Sequence, residues 1–150
     1  MIQVVKELNV NIDDFYDFIE KSVKEDIKNA TNEEVLELTE GFSYEKKLQN
    51  SLKQSGSVLA LIEKYERKVC YKSKITSNQG YNYVSFETEE IDDENIKLTY
   101  TEHFDSDKST NNLNYKFMLF FYKKSLARRM TLTIENMETK IKKGDEICQD

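Results

Sequence analysis

The sequence predicts a two-layer α+β domain in which an antiparallel sheet packs against one long C-terminal helix. After residue 33, apolar and polar side chains alternate almost as far as residue 104, which is the period of half-buried strands. From about Leu113 to Lys143 the period becomes helical, and a shorter helical pattern follows the first strand. A run of strands closed by one helix is typical of antiparallel α+β folds, so the last helix is expected to lie across one face of the sheet.

The chain opens with a predicted strand and an amphipathic helix. Apolar residues alternate over Ile2–Leu8, which favours a half-buried strand. Asn11 is a suitable N-cap for a helix that runs to about Ala30, and a break into two short helices near Ser22 is the alternative. The apolar stripe that predicts the helix recurs every four residues and consists of Phe15, Ile19, Val23 and Ile27.

Six further strands are predicted between the two helices. Polar turns separate them, and the chain contains no proline that would interrupt their pairing. The predicted strands are Val35–Thr39, Phe42–Leu48, Val58–Tyr65, Arg67–Thr76, Tyr81–Glu89 and Asn95–Phe104.

The closing helix is predicted to end at Gly144, a residue type common just beyond helix C-termini. Its apolar stripe is narrow except over Phe117–Tyr122, which is apolar on all sides and therefore needs cover on more than one side. That cover could come from the opening helix or the 105–112 loop, from a second copy of the chain, or from a membrane surface. We expect a monomer or a homodimer.

Length and composition limit the class of protein. A chain of 150 residues is most simply one domain, here residues 1–144 followed by a polar tail of residues 145–150. No apolar run approaches the roughly 18 residues of a transmembrane segment, and no signal peptide is recognisable, so the expected location is cytoplasmic. The net charge of −6, with basic residues concentrated in the last helix, argues against nucleic-acid binding.

The sequence contains no recognisable catalytic or metal-binding motif. His103 is the only histidine, and the two cysteines are too few for a disulfide framework or a zinc site. The acidic residues of 87–94 and 105–107 lack the glycine and the distant glutamate of a calcium loop, and no glycine-rich phosphate loop is present. We therefore predict no catalytic residue, no metal and no cofactor, and the sequence favours a non-enzymatic role.

Aromatic residues are the one class that indicates a ligand. The chain has nine tyrosines and eight phenylalanines, and rings with polar tips suit the wall of a cavity for an amphipathic molecule. An ordinary aromatic core explains the same residues equally well. A register slip of one residue would turn the strand members to the other face of the sheet. The predicted lining of a cavity is Tyr44, Ala60, Tyr71, Phe86, Tyr100, Phe117, Phe120 and Phe121.

The order of the elements resembles the helix-grip fold of the START-like (SRPBCC) superfamily, which includes birch-pollen allergens, polyketide cyclases and lipid-transfer domains. This resemblance implies a curved antiparallel sheet wrapped around the C-terminal helix, with a cavity between them. More narrowly, Gly41–Tyr44, Tyr100–Glu102 and the basic, Phe-rich helix resemble a family of uncharacterised proteins from low-GC Gram-positive bacteria. No catalytic residue can be carried over from that family. Its association with sugar-uptake operons implies a regulatory or accessory role.

Two functions from different classes remain open at this point. The first is non-enzymatic binding of a hydrophobic or amphipathic small molecule between the sheet and the C-terminal helix. The second is a protein-interaction or regulatory accessory module whose core is filled by its own side chains. A cyclase- or hydrolase-type enzyme is a third, less favoured function. A cavity larger than about 300 Å³ would favour the first.

Overall fold

The computed structural model describes the backbone of residues 1–49, 55–106 and 113–148, and the side chains of residues 1–47, 56–105 and 124–144. In these ranges one antiparallel sheet of six strands packs with two helices, which confirms the predicted α+β helix-grip class. The elements are β1 (Ile2–Leu8), α1 (Ile12–Thr31), β2 (Ser43–Gln49), β3 (Ser55–Glu66), β4 (Cys70–Ser77), β5 (Gly80–Asp92), β6 (Asn95–Ser106) and α2 (Leu113–Cys148).

The first strand lies beside the last one. The strand order is β1-β6-β5-β4-β3-β2, so the sheet is open and its two edges are formed by β1 and β2. Ile2 lies opposite Glu102 and Leu8 lies opposite Ile96 in the β1–β6 pair. Because the chain leaves the sheet at one edge and re-enters it at the other, α1 has to cross one face of the sheet between them. We call this side the helix face.

Both helices contribute to the main core on the helix face. From α1, Phe15 and Tyr16 are fully buried. From α2, one stripe of residues at helical spacing packs into the same cluster, as expected from the sequence pattern. These α2 residues are Met130, Ile134, Met137 and Ile141, and the strand residues they meet include Leu8, Ile96, Leu98 and Tyr100.

The helix α1 is continuous, and its ends are capped. The Asn11 side chain accepts hydrogen bonds from the backbone amides of Asp13 (2.8 Å) and Asp14 (3.4 Å), which confirms the predicted N-cap. Asn32 adopts the left-handed conformation, with φ of 62°, and its amide donates to the carbonyl of Lys28. No break occurs at Ser22, which lies within the helix.

The strand predicted at Val35–Thr39 is wrong. The outer edge of β2 has no partner among the described strands, so this segment has no strand with which to pair. Its alternation has another origin, because Val35 packs partly buried beneath the end of α1 whereas Leu36 is 91% exposed. The strand predicted from Arg67 begins instead at Cys70, because a turn precedes it. In this turn Lys68 has φ of 71°, and the Val69 amide donates a hydrogen bond to the Glu66 carbonyl.

The predicted helix end at Gly144 is also wrong, because the backbone of α2 continues through this residue to Cys148. A single glycine costs a helix only about 1 kcal/mol relative to alanine, so it need not end one.

The division into a domain of residues 1–144 and a tail of residues 145–150 stays a prediction. No helix in the described part of the chain is long and apolar enough to cross a membrane. The side chains of Phe117–Tyr122 lie outside the described residues. The three possible covers for this segment therefore stay predictions.

Arg67 forms ion pairs that connect the β3–β4 turn to α1. Its guanidinium donates to the carboxylates of Asp17 (2.8 Å) and Glu20 (3.0 Å), and it also approaches Asp13 (3.4 Å). The Tyr65 hydroxyl donates to the same Glu20 at 2.6 Å. The turn and the helix are therefore joined by one network of charged groups.

Replacing Arg67 by alanine should lower the free energy of unfolding by about 1 kcal/mol, a modest loss because these ion pairs are partly exposed to solvent. The loss should shrink between about 0.05 M and about 1 M salt, since screening weakens such pairs. Denaturant unfolding at both salt concentrations measures it. Lys68→Ala, at a 53% exposed side chain in the same turn, is the control and should change stability less. A loss that is independent of salt would contradict an electrostatic role.

Candidate functional site: a cleft between the first helix and strands β2 to β4

The register places all five described strand residues of the predicted cavity on the helix face. Tyr44 lies opposite Ala60, and Phe86 lies between Tyr71 and Tyr100. Ala60 also lies opposite Ile75, which is four residues from Tyr71 along β4 and therefore on the same face. The side chains of the other three predicted members, Phe117, Phe120 and Phe121, lie outside the described residues.

These five residues divide into two groups. Phe86 and Tyr100 stack on each other in the main core, with ring centroids 4.6 Å apart. Tyr44, Ala60 and Tyr71 instead line a cleft of about 300 Å³ between α1 and strands β2 to β4. Sequence reasoning missed most of the lining of this cleft, which also includes Ser22, Val23, Asp26, Lys46, Leu61, Ile62, Ser73 and Ile75.

The spacing of residues within each element brings these side chains to one place. Asp26 is four positions after Ser22 and three positions after Val23, so it is a neighbour of both on one face of α1. Tyr44 and Lys46 are two apart on β2 and therefore share a face of the sheet. Two signals were present in the sequence: an aspartate beside the apolar stripe of α1, and a lysine in the apolar phase of an amphipathic strand.

Asp26, Tyr44 and Lys46 form a hydrogen-bonded group at this cleft, which we call the Asp26 cluster. The Tyr44 hydroxyl donates to Asp26 Oδ2 at 2.5 Å, and Lys46 Nζ donates to the same oxygen at 3.0 Å. The side chain of Lys46 is 19% exposed and that of Asp26 is 41% exposed. Burial, and then the hydrogen bond to the Asp26 carboxylate, raise the pKa of Tyr44 well above its usual value. Tyr44 therefore remains a neutral donor.

The remaining walls of the cleft are largely apolar. Val23 from α1 and Ala60, Ile62 and Ile75 from the sheet contribute aliphatic surface. Tyr71 is buried, and burial raises the pKa of its phenol, although a hydrogen bond with Ser73 acts in the opposite direction. The cleft thus combines an apolar wall with one compact polar group, which is the usual composition of a small-molecule site.

Other buried or half-buried tyrosines use their hydroxyls in hydrogen bonds within the fold. The Tyr16 hydroxyl lies 2.6 Å from Thr88 Oγ1, and burial raises its pKa to about 12. Tyr65 donates to Glu20 and Tyr100 donates to Glu102, each at 2.6 Å. By contrast, Asp26 Oδ1 and two of the three Lys46 protons have no protein partner in the described part of the chain.

His103 and Cys70 are not among the described lining of this cleft. His103 is exposed on the opposite face of the sheet, where its ring stacks on Tyr83 at 6.0 Å. Cys70 is a buried free thiol opposite Glu87. Among the described side chains, those of residues 1–47, 56–105 and 124–144, no group of three or more His, Cys, Asp and Glu could hold a metal ion.

Comparison with solved structures defines the class of fold. A protein of unknown function from Staphylococcus aureus superposes with a TM-score of 0.66 at 15% identity, covering 97% of this chain and 96% of that one. A START superfamily protein from Mycobacterium smegmatis gives 0.64 at 8% identity, with coverage of 95% and 97%. An aromatase/cyclase from Streptomyces gives 0.63 at 12% identity, with coverage of 94% and 92%. The protein therefore has the START-like fold that the sequence predicted, and identities this low concern the fold alone.

The family is defined by sequence. The model of a domain of unknown function, DUF3284, matches residues 2–123, and the chain belongs to this family. No match was found among curated proteins.

Proposed function

We propose that this protein binds a small amphipathic molecule, without catalysis, in the cleft between α1 and strands β2 to β4. The observation that carries the proposal is a cleft of about 300 Å³ that joins aliphatic walls to the Asp26 cluster. This volume is at the threshold of about 300 Å³ named above and does not clearly exceed it, so the cleft fits only a compact ligand. The sequence predicted a cavity between the sheet and the C-terminal helix, and a contribution of Phe117, Phe120 and Phe121 to such a cavity stays a separate prediction.

The position of Ala60 favours ligand binding rather than a core that is filled by the protein's own side chains. Ala60 lies in the ladder between Tyr44 on β2 and Ile75 on β4, and it is 5% exposed. Its small side chain leaves room between these larger neighbours, and this room is part of the cleft, whereas Phe86 and Tyr100 stack on each other.

A non-enzymatic role is favoured by the chemistry of the lining. The described lining contains neither histidine nor cysteine, and its one carboxylate already accepts two hydrogen bonds. A general base or a nucleophile would need a partner that activates it. We further expect the protein to act in the cytoplasm, as a monomer or a homodimer.

Binding can be tested with the neutral fluorescent probe N-phenyl-1-naphthylamine. We expect saturable binding to the natural chain and at least about a ten-fold loss of affinity for Ala60→Phe, which corresponds to about 1.4 kcal/mol. The reason is that the phenyl ring would occupy the cleft. Fluorescence titration measures the affinity, and circular dichroism verifies folding, because overpacking costs about 1–3 kcal/mol of stability.

The matched control is Leu59→Phe, one residue away on the opposite face of β3, where the side chain is 46% exposed. It should bind the probe like the natural chain. Equal binding by both phenylalanine variants, or no saturable binding by the natural chain, would overturn the proposed function.

A further inference from the structure

The Asp26 cluster is balanced in charge and incompletely hydrogen-bonded. It contains one carboxylate, one ammonium group and one neutral phenol, and its two internal hydrogen bonds both end on Asp26 Oδ2. Asp26 Oδ1 can still accept, and Lys46 Nζ can still donate. No other charged side chain is among the described lining of the cleft. The cleft therefore offers an acceptor and a donor side by side, with no net charge.

An ionised ligand would gain little from such a cluster. A carboxylate near Lys46 would also lie close to Asp26, whose oxygen is only 3.0 Å from the lysine nitrogen, so attraction and repulsion would largely cancel. An ammonium group would meet the same cancellation with the signs reversed. The cost of taking either ion out of water into a cleft with aliphatic walls would remain.

A neutral hydroxyl group avoids this cost and uses both free positions. It can donate to the Asp26 carboxylate while accepting from the Lys46 ammonium group. Hydrogen bonds with one charged partner are shorter and stronger than those between neutral groups. The same hydroxyl could also reach the Ser22 or Ser73 side chains, which line the cleft as well.

We propose that the ligand carries a neutral hydroxyl head group, held between Asp26 and Lys46, on a compact apolar body that packs against Val23, Ile62 and Ile75. This inference rests on the proposed binding function and specifies its ligand class. The volume of about 300 Å³ fits a body of roughly two fused rings.

Three naphthalenes with the same body and different head groups test the inference: 2-naphthol, 2-naphthoate and 2-naphthylmethylammonium. Competition against N-phenyl-1-naphthylamine at neutral pH measures their affinities for the whole chain. We expect 2-naphthol to bind at least about ten-fold more tightly than either ion. The methyl ether of 2-naphthol, which cannot donate, should bind several-fold more weakly than the parent compound.

Two variants separate head-group recognition from simple damage to the cleft. Asp26→Asn leaves Lys46 without its counter-ion, so 2-naphthoate should gain affinity and overtake 2-naphthol. Lys46→Met leaves Asp26 unneutralised, and the ammonium compound should gain instead. Loss of folding would weaken all compounds together and cannot produce opposite changes of preference.

The outcomes distinguish the two proposals. If an ionic naphthalene binds the natural chain as tightly as 2-naphthol does, or if the two variants do not change the preference, the head-group inference is overturned while binding in the cleft stands. If neither the fluorescent probe nor any naphthalene binds, the proposed function itself fails.

Discussion

Replacing Ile134 by alanine should lower the free energy of unfolding by about 2–5 kcal/mol, the usual cost of truncating a buried aliphatic side chain. Ile134 is fully buried, and it lies in the cluster where α2 meets α1 and the sheet. The substitution removes three carbon atoms and leaves a cavity between layers that cannot close completely. Urea unfolding followed by circular dichroism measures the change.

Leu132 provides the matched control on the same helix. It is two residues from Ile134 and 53% exposed, so Leu132→Ala should cost less than about 1 kcal/mol. Equal losses at the two positions would show that a different face of α2 meets the sheet.

This contrast also shows why the fold could be predicted from sequence. Met130, Ile134, Met137 and Ile141 repeat at helical spacing over several turns, and a signal of that length identifies both the helix and its buried face. The alternation in the strands likewise identified which residues of each strand share a face, because these are two positions apart, but the register that brings Tyr44 and Tyr71 to the same face came from the structure.

Shorter signals were misleading for a physical reason. Alternation at Val35–Thr39 resembles a strand, yet a strand also needs a hydrogen-bonded neighbour, and the sequence does not say which edge of the sheet will remain open. Gly144 resembles a helix end, but one glycine cannot end a helix that the surrounding residues support.

The candidate site was predictable only in part. The sequence proposed Tyr44 and Ala60 for one cavity but left their face of the sheet open, and whether a face residue lines a cleft or fills the core depends on the path of α1. Asp26 meets Tyr44 and Lys46 across 18 and 20 residues of chain. That meeting depends on the conformation of the loop after α1, for which a single sequence gives no rule. The polar half of the site therefore emerged only from the structure.

Raising the pH above about 10 should destabilise the protein steeply, because several buried or half-buried tyrosines stay protonated in the folded chain. Burial, supported by carboxylate partners, raises the pKa of Tyr44, Tyr65 and Tyr100, and burial raises that of Tyr16 to about 12. The ordinary tyrosine pKa is 10.0. Above that pH the unfolded chain loses these protons while the folded chain retains them, so stability is full below pH 10 and declines as pH rises towards the folded-state pKa values.

Tyr44→Phe isolates one part of this effect. At pH 8 the variant should be less stable than the natural chain by about 1 kcal/mol, since it lacks the hydrogen bond to Asp26. Above pH 10 the difference in the free energy of unfolding should narrow. The natural chain loses stability as Tyr44 ionises in its unfolded state, whereas phenylalanine has no proton to lose. Denaturant unfolding at several pH values measures both chains, and phenolate absorbance follows ionisation directly. Parallel stability curves for the two chains between pH 8 and pH 11 would show that Tyr44 ionises in the folded protein as it does in the unfolded chain, and would contradict its buried, carboxylate-bound position in the cleft.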